Sequence, residues 1–581
     1  MKSLYSFLCH GLLGLLVLTG PAGRAQAQAP AWQSAMMVGG GGSSLLIKAT
    51  ATAANGDLYV AGSFSSFVAI GTTQLLSTGG TDGFVAKWSP VTNDFVWAYR
   101  LGGSDNDQVT AVALNGNRVY IAGTFFSPLA SIGSINLSNA GGFNTVGTDA
   151  FVAKLTDAGS GASFNWAQQL GGTGQDAATA LVANGTSVYV GGHFASPTAS
   201  FGSLTLTNST ASPTFADGFV AKLVDGGTST SVSWAKPITG PAAKYVNALA
   251  VNGTSVYATG YFGGLSVSFG SSNLPNAGGT ANAYVAKIAD AGPSSTWQWA
   301  LQAGGTGRDV GTALAASGSR VYVAGSFTSA AMPLGSLSLT NADAGGTSDA
   351  FVAAVADAGS TATWQWAQQA GGTSNDQAAV LTTSGTNGLY LAGTFTSGAI
   401  TMATTAFAAA PGSALVASLT DTGLTATANW AQRGGATTTN ADAACLALTG
   451  AKLYVAGSFQ STATFGAQTL TSPVAGATNF LASLTDATVT ATAAARNTLP
   501  FELAPNPAHA ATSLQLPGVP GASTTTIVLL DALGRDVRTA TVALPAAGLH
   551  HEFNLMGVVP GIYTVRVTAG ATAAARRLVV E

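Results

Sequence analysis

Leu58-Tyr59-Val60-Ala61-Gly62 is the stretch on which the fold turns. A β-branched and aromatic run of this kind favours a strand, and it does not stand alone. Close copies surround Tyr120, Tyr189, Tyr257, Tyr322, Tyr390 and Tyr454, at separations of 61 to 69 residues. A steady period signals a repeat architecture, because one unit cannot bury its own apolar faces.

The copy around Tyr189 displays the unit. Ala178 to Asn184 reads as an apolar strand and Asn184-Gly185 as a tight turn, since both residues tolerate positive φ. Val188 to Phe194 is a second strand. A long polar loop follows, carrying a small strand from Phe201 to Leu206. Asp217 to Leu223 is the third main strand, Asp225-Gly226-Gly227 opens another turn, and Ser233-Trp234-Ala235 is the fourth. Four antiparallel strands per unit in an all-β pattern predict the blade of a β-propeller. Small pairs such as Ala61-Gly62 and Gly191-Gly192 would let neighbouring sheets approach closely.

The fourth-strand tryptophan falls at Trp32, Trp97, Trp166, Trp234, Trp299, Trp366 and Trp430. The last copy has no tryptophan strand of its own after Phe480-Leu481-Ala482-Ser483-Leu484, whereas Trp32 precedes the first copy. Trp32 is therefore expected beside Phe480, closing a seven-bladed ring from both chain ends and removing free edges. An open solenoid would leave Trp32 on an orphan edge. The Gly-Gly-x-x-x-Asp, Val-Tyr-Val-Ala-Gly and Asp-Ala-Phe-Val-Ala-Lys pattern, over roughly residues 31 to 486, resembles the β-propeller repeat family known as SBBP repeats. The resemblance implies an extracytoplasmic propeller and no common catalytic activity.

After Asp486 the repeat stops, and residues 488–498 read as an Ala/Thr-rich linker. Short strands separated by turns then fit a small Ig-like β-sandwich over 499–581. Pro505-Asn506-Pro507, Gly534-Arg535 within Asp531 to Arg535, Gly561 and Tyr563 within Pro560 to Tyr563, and Arg576-Arg577 before the closing apolar strand look like a type IX secretion sorting domain, type A. Glu581 stands where that family often ends in Lys. The resemblance implies recognition by the type IX secretion machinery. It also implies removal of the module outside the cell, with release of the cargo or its attachment to surface lipopolysaccharide. At the other terminus Lys2, the apolar run Gly11 to Thr19 and the small residues Ala25-Gln26-Ala27 read as a cleaved signal peptide over 1–27. The expected domains are thus a signal peptide at 1–27, a propeller at 28–487, the linker and the sorting module. The expected location is secreted or on the outer cell surface.

Charged residues are 8% and hydrophobic ones 47% of the 581, too apolar for a disordered chain. A net charge of −3 points away from nucleic acid as partner. Cys445 alone remains beyond the signal segment, on an apolar strand, and reads as a buried free thiol. The chain is expected to be a monomer.

Candidate chemistry is sparse. Outside the terminal segments the histidine is His193, at a position held elsewhere by Ser63, Thr124, Tyr261, Ser326, Thr394 and Ser458. It reads as a tolerated substitution and not a catalytic base. The glutamates are Glu502, Glu552 and Glu581, so hydrolysis between paired carboxylates would need aspartates. Asp107, Asp176, Asp309, Asp376 and Asp442 precede the first strands, with Lys244 in one copy; Asp82, Asp149, Asp217 and Asp349 open the third strands, with Asn282 and Asn479 as stand-ins. Residues copied in most units secure turns or neighbouring sheets more readily than they catalyse, and Asx side chains bond local backbone N–H groups. No cofactor is expected; calcium held by loop aspartates and carbonyls is the weaker alternative. The expectation is no enzymatic activity, with a secreted enzyme working on polysaccharide or peptide through channel aspartates as the competing reading. Any glycan or protein ligand is expected on the face carrying the long loops, roughly 124–148, 193–216, 261–281 and 326–348, or at the channel mouth.

Overall fold

The computed structural model describes residues 29–486 and 501–581. Within these it omits 40–43, 143–146, 211–213, 277, 345, 403–404, 409–412, 436–440, 475, 520–522, 532–535, 546 and 570–571. The signal segment, the linker, and Gly534 and Arg535 of the sorting motif lie outside the described residues. The chain is all-β, and it divides into two compact units, Met1–Asp486 and Ala487–Glu581.

Each repeat in the first unit before the last builds four antiparallel main strands, paired in chain order. For the copy around Tyr189 the strands are Asp176–Asn184, Ser187–Phe194, Asp217–Asp225 and Thr230–Ile238. Val188, Tyr189, Val190, Gly191 and Gly192 of the second strand are all buried, because the sheet is covered on both faces. The glycine is required there: a Cβ on Gly192 would lie 1.9 Å from the Ala177 carbonyl oxygen.

The first strands carry a β-bulge at a common place, between Val109 and Ala111, Ala178 and Ala180, Val246 and Ala248, and Gly311 and Ala313. A bulge leaves one residue out of the ladder and re-aims it. Here that residue reaches the next sheet. Thr110 donates to the Ala178 carbonyl at 2.7 Å, Asn247 to Gly311 at 2.8 Å and Thr312 to Ala378 at 2.6 Å. First strands touch first strands in sequence order, and the last of them, Cys445–Thr449, touches the first, Leu45–Thr52. Between them lies a cavity of about 240 Å³, lined by residues such as Ala111, Leu181, Leu249 and Leu314.

The sheet containing Tyr454 takes its fourth strand from the other end of the chain. Trp32–Val38 pairs antiparallel with Thr478–Thr485, as expected, with Met37 opposite Phe480. The register differs from the expected one. Trp166, Trp234 and Trp299 stand opposite Lys154, Lys222 and Lys287, but the equivalent Ser483 faces Ser34. Trp32 faces Leu484 and so occupies the place of Trp297 and Trp364, two residues earlier. It packs edge-on against Phe465, ring centroids 5.2 Å apart, as Trp297 packs on Phe269 at 5.1 Å.

A second correction concerns the long loops. The single small strand expected from Phe201 to Leu206 is a hairpin, Thr198–Phe201 with Leu204–Thr207, turning at Gly202 with φ +63°. It continues the preceding sheet: Leu170 pairs with Phe201 and Gly171 with Ser200. Hairpins at Leu129–Ser138 and Ala399–Ala408 dock on their preceding sheets in the same way. These loops therefore cover sheet edges that would otherwise expose unpaired backbone groups.

The second unit has two sheets, one of Glu502–Ala504, Ala511–Leu516 and Leu549–Asn554, the other of Asp536–Ala543, Thr524–Leu530, Gly561–Ala569 and Thr572–Val580. Phe501, Leu514, Ile527, Leu529, Val565, Val567 and Leu578 fill its core.

Candidate functional site

Two kinds of polar contact join successive repeat sheets, at opposite ends of the second strand. At one end, the aspartate closing a third strand receives three donors from the preceding sheet. Asp225 accepts from Tyr120 Oη at 2.8 Å, Trp166 Nε1 at 3.0 Å and Lys154 Nζ at 2.9 Å. The Gly227 N–H caps it at 2.9 Å, and Lys154 also donates to the Gly227 carbonyl. Tyr59 and Trp97 hold Asp157 likewise; Tyr189 and Trp234 hold Asp290; Tyr257 and Trp299 hold Asp357. Where Ala354 replaces the lysine, Arg320 approaches Asp421 and donates to the Gly423 carbonyl at 2.8 Å. Burial disfavours the charge on Asp225, but Lys154, Trp166, the Gly227 N–H and Tyr120 outweigh it and bring the carboxyl down to about 2. Sequence reasoning treated Asp225-Gly226-Gly227 as a turn and missed this role; the recurring Asp-x-Gly beside the repeated Tyr, Lys and Trp was the available signal.

At the other end stand the repeated aspartates that the sequence singled out. Asp176 Oδ1 accepts from the Ala195 and Ser196 N–H groups, and Oδ2 from Gly172 N and Ser196 Oγ, all within 3.1 Å. It secures both the link entering its sheet and the loop leaving the second strand, as expected of a copied Asx residue. Asp107, Asp309 and Asp376 bond in the same manner.

Against each of these stands the residue opening a third strand of the preceding sheet. A Cβ on Gly171 would lie 2.3 Å from Asp149 Oδ1 and 2.7 Å from Asp176 Oδ2, so the two carboxyls converge. Asp149 Oδ2 accepts from Ala140 N and Gln169 Nε2, while its buried Oδ1 has no partner; Asp349 is built identically. Burial foremost, with the neighbouring Asp176 or Asp376 adding, raises Asp149 to about 7 and Asp349 to about 6. At two other joints the chain itself removes one negative charge. Lys244 pairs with Asp217, both fully buried, and Asn282 stands where Asp149 does at the joint that Asp309 secures. With its amide oriented to accept from Gln302, Asn282 donates to the Gly305 carbonyl at 3.2 Å. These carboxylates hold backbone, and among the described residues no group of three or more His, Cys, Asp or Glu gathers as a metal cage.

His193 is fully enclosed at Nδ1, which has no partner, and burial lowers it to about 4. Cys445 is a buried free thiol raised by burial to about 12.

In the second unit the structure brings two parts of the sorting motif together. Asn506 Nδ2 donates to the Arg577 carbonyl at 2.8 Å, and its Oδ1 accepts from Val579 N at 2.9 Å. Pro505 and Pro507 follow cis peptide bonds, and the Pro505 carbonyl accepts from Thr512 Oγ1. Arg576 lies over the Phe501 ring at 5.7 Å. The strand that Gly561 opens pairs with the closing strand, Gly561 opposite Val580 and Tyr563 opposite Leu578, and Tyr563 donates to the Val559 carbonyl at 2.7 Å.

Residues 502–581 match the family described as secretion system C-terminal sorting domain (Por_Secre_tail). This supports export by type IX secretion, implies interaction with that machinery, and points to secretion or the cell surface. No helix among the described residues is long and apolar enough to cross a membrane. The regulatory protein FlaEY of Caulobacter vibrioides (strain ATCC 19089 / CIP 103742 / CB 15) is 27% identical over 293 residues, 48% of this chain and 28% of that protein. The chain thus matches less than a third of that relative's length. Among solved structures, a chain of a mitotic checkpoint complex aligns over 78% of this chain and 96% of its own, at 10% identity and a TM-score of 0.39.

Proposed function

We propose that this is a secreted or surface-displayed seven-bladed propeller of SBBP type that serves as a binding or scaffold module outside the cell. The sorting domain matched at 502–581 carries the reading, because an export label is informative about where the rest of the chain works. The cycle of first-strand contacts and the Trp32–Val38 strand beside Thr478–Thr485 support a closed ring. The repeated aspartates are spent on backbone N–H groups and neighbouring sheets, which favours a scaffold over a catalyst. In this reading the sorting domain is removed on the outside, and the propeller is released or tethered to lipopolysaccharide.

The test is export from a host with an active type IX system. Removal of 499–581 should leave the chain in the periplasm, and grafting 499–581 onto a periplasmic reporter should send the reporter out. Export of the truncated chain would overturn the reading. Immunoblotting of the exported form with and without lipopolysaccharide digestion separates release from attachment.

A further inference from the structure

One place in the repeat unit departs from the repeat on three successive sheets at once. His193 is the last residue but one of a second strand, Tyr245 and Tyr261 face each other on the next sheet, and Arg308 immediately precedes the first strand of the sheet after that. The four planar groups form one column. The His193 and Tyr245 ring centroids are 4.6 Å apart, Tyr245 and Tyr261 stack at 4.8 Å with 22° between planes, and Arg308 lies over Tyr261 at 4.9 Å.

The scaffold does not require these residues. The His193 and Tyr261 position holds Ser63, Thr124, Ser326, Thr394 and Ser458 elsewhere, and the Tyr245 position holds Gln108, Ala177, Val310 and Gln377. Asn106, Gln175 and Asn375 stand where Arg308 does. Those joints close without aromatic groups. The column lies on the face that carries the loops leaving second strands and the links entering first strands.

Its chemistry is specific. His193 meets Tyr245 edge-on, with 63° between planes, while Tyr261 is covered by Tyr245 on one side and approached by Arg308, so what the column presents outward is the guanidinium and the phenol groups. Arg308 is exposed, and among the described residues no carboxylate lies within ion-pair distance of its guanidinium. Stacking on Tyr261 orients that fork while leaving its N–H donors free, and a guanidinium fork matches a carboxylate. Burial foremost, then Tyr261, raises Tyr245, so its hydroxyl keeps its proton. Rigid tyrosines bind with little entropic loss. A charged fork beside two stacked tyrosines suits a polyhydroxylated carboxylate, because the fork takes the carboxylate and the phenol groups add hydrogen bonds that an acidic peptide side chain has no hydroxyls to meet.

We propose that the His193–Tyr245–Tyr261–Arg308 column is a binding site for a carboxylated glycan, a chain containing uronic acid, with the carboxylate on Arg308 and sugar hydroxyls on Tyr261 and Tyr245. This rests on the reading of the repeat unit as a binding module and names its ligand class.

The test titrates the full-length protein calorimetrically with oligogalacturonate, the carboxyl-reduced oligosaccharide, and a poly-glutamate peptide of similar charge. Arg308→Asn and Tyr261→Ser install residues the chain already uses at the same register, so their melting temperatures should match the parent. Expected are saturable oligogalacturonate binding weakened by salt, at least tenfold weaker binding by each variant, and at least tenfold weaker binding of the reduced sugar and the peptide. Absence of oligogalacturonate binding, equal binding by the variants, or equal binding of the reduced sugar or peptide would each overturn the site. A parallel titration with isolated cell-surface polysaccharide separates the two ideas. If both variants bind it as tightly as the parent, the column is wrong and the binding module stands; if the parent binds none of it, the module fails as well.

Discussion

Asp225 and Asp149 are both aspartates on the edges of third strands, and their surroundings drive them in opposite directions. Asp225 gathers an ammonium and three N–H or O–H donors, which favours the charged form. Its contribution to stability is present above the ordinary carboxyl value of 3.8 and is lost as pH falls through about 2. Asp225→Asn leaves Lys154, 4% exposed, without its counter-charge. The expected loss is about 3–5 kcal/mol by urea denaturation at pH 7, against about 1 kcal/mol for Tyr120→Phe. Equal small losses would show that the ion pair is not what holds this joint. Asp149 has the reverse sign. Raised from 3.8 to about 7, it favours the fold while it keeps its proton, and that contribution is lost as pH climbs from about 4 through about 7. Asp149→Asn, which copies the chain's own Asn282, should gain on the parent by on the order of 2 kcal/mol between pH 5 and pH 8. A parent no less stable at pH 8 than at pH 5, relative to the variant, would show that the carboxyl is ionised without penalty.

At the scale of elements, the hairpins inserted after the second strands decide more than their length suggests. Phe201 is 1% exposed and meets Phe219 edge-on, ring centroids 4.8 Å apart. Its hairpin also pairs with Leu170 and Gly171 of the preceding sheet. Phe201→Ala should therefore cost about 3–5 kcal/mol and speed hydrogen exchange at Leu170 and Gly172, one sheet away. Exchange confined to the hairpin would mean the docking is not a stabilising contact. The hairpin's polar sequence hides this, because alternate residues point outward: Thr198 and Ser200 are exposed while Ala199 and Phe201 are buried. Strand existence and turn chemistry were legible from the Tyr189 copy, since period-two patterning and Asn-Gly turns are local properties. The docking was not legible, because its partner lies in another repeat.

For the repeat unit as a whole, the closing joint differs from the others. Tyr454 Oη is buried without a hydrogen-bond partner, and Trp88 packs on its ring with centroids 5.4 Å apart. Pro90 stands two residues past Trp88, where Asp157 stands two past Leu155, so no carboxylate receives the tyrosine. At this joint the Trp32–Val38 strand pairs with Thr478–Thr485, and Asn479 bonds the Leu45 carbonyl and the Ile47 N–H. A chain lacking residues 29–38 should melt at lower temperature and self-associate in light scattering, because the Thr478–Thr485 edge is left unpaired. A monomeric product with an unchanged melting temperature would show that the Thr478–Thr485 edge needs no partner strand.

By itself the sequence determined the order of the four main strands in each repeat, the all-β class of the fold and the address label at 502–581, since these follow from local periodicity, turn residues and contiguous motifs. Only the tertiary structure decided which aspartate meets which lysine, that Ser34 and not Trp32 holds the register of the joint tryptophans, and that four planar side chains of three sheets form one column. The physical reason is distance along the chain: Tyr120 and Asp225 are 105 residues apart, and Trp32 and its Arg433 carbonyl acceptor are 401 apart. Contacts of that span are set by how whole sheets pack, and no local pattern records them.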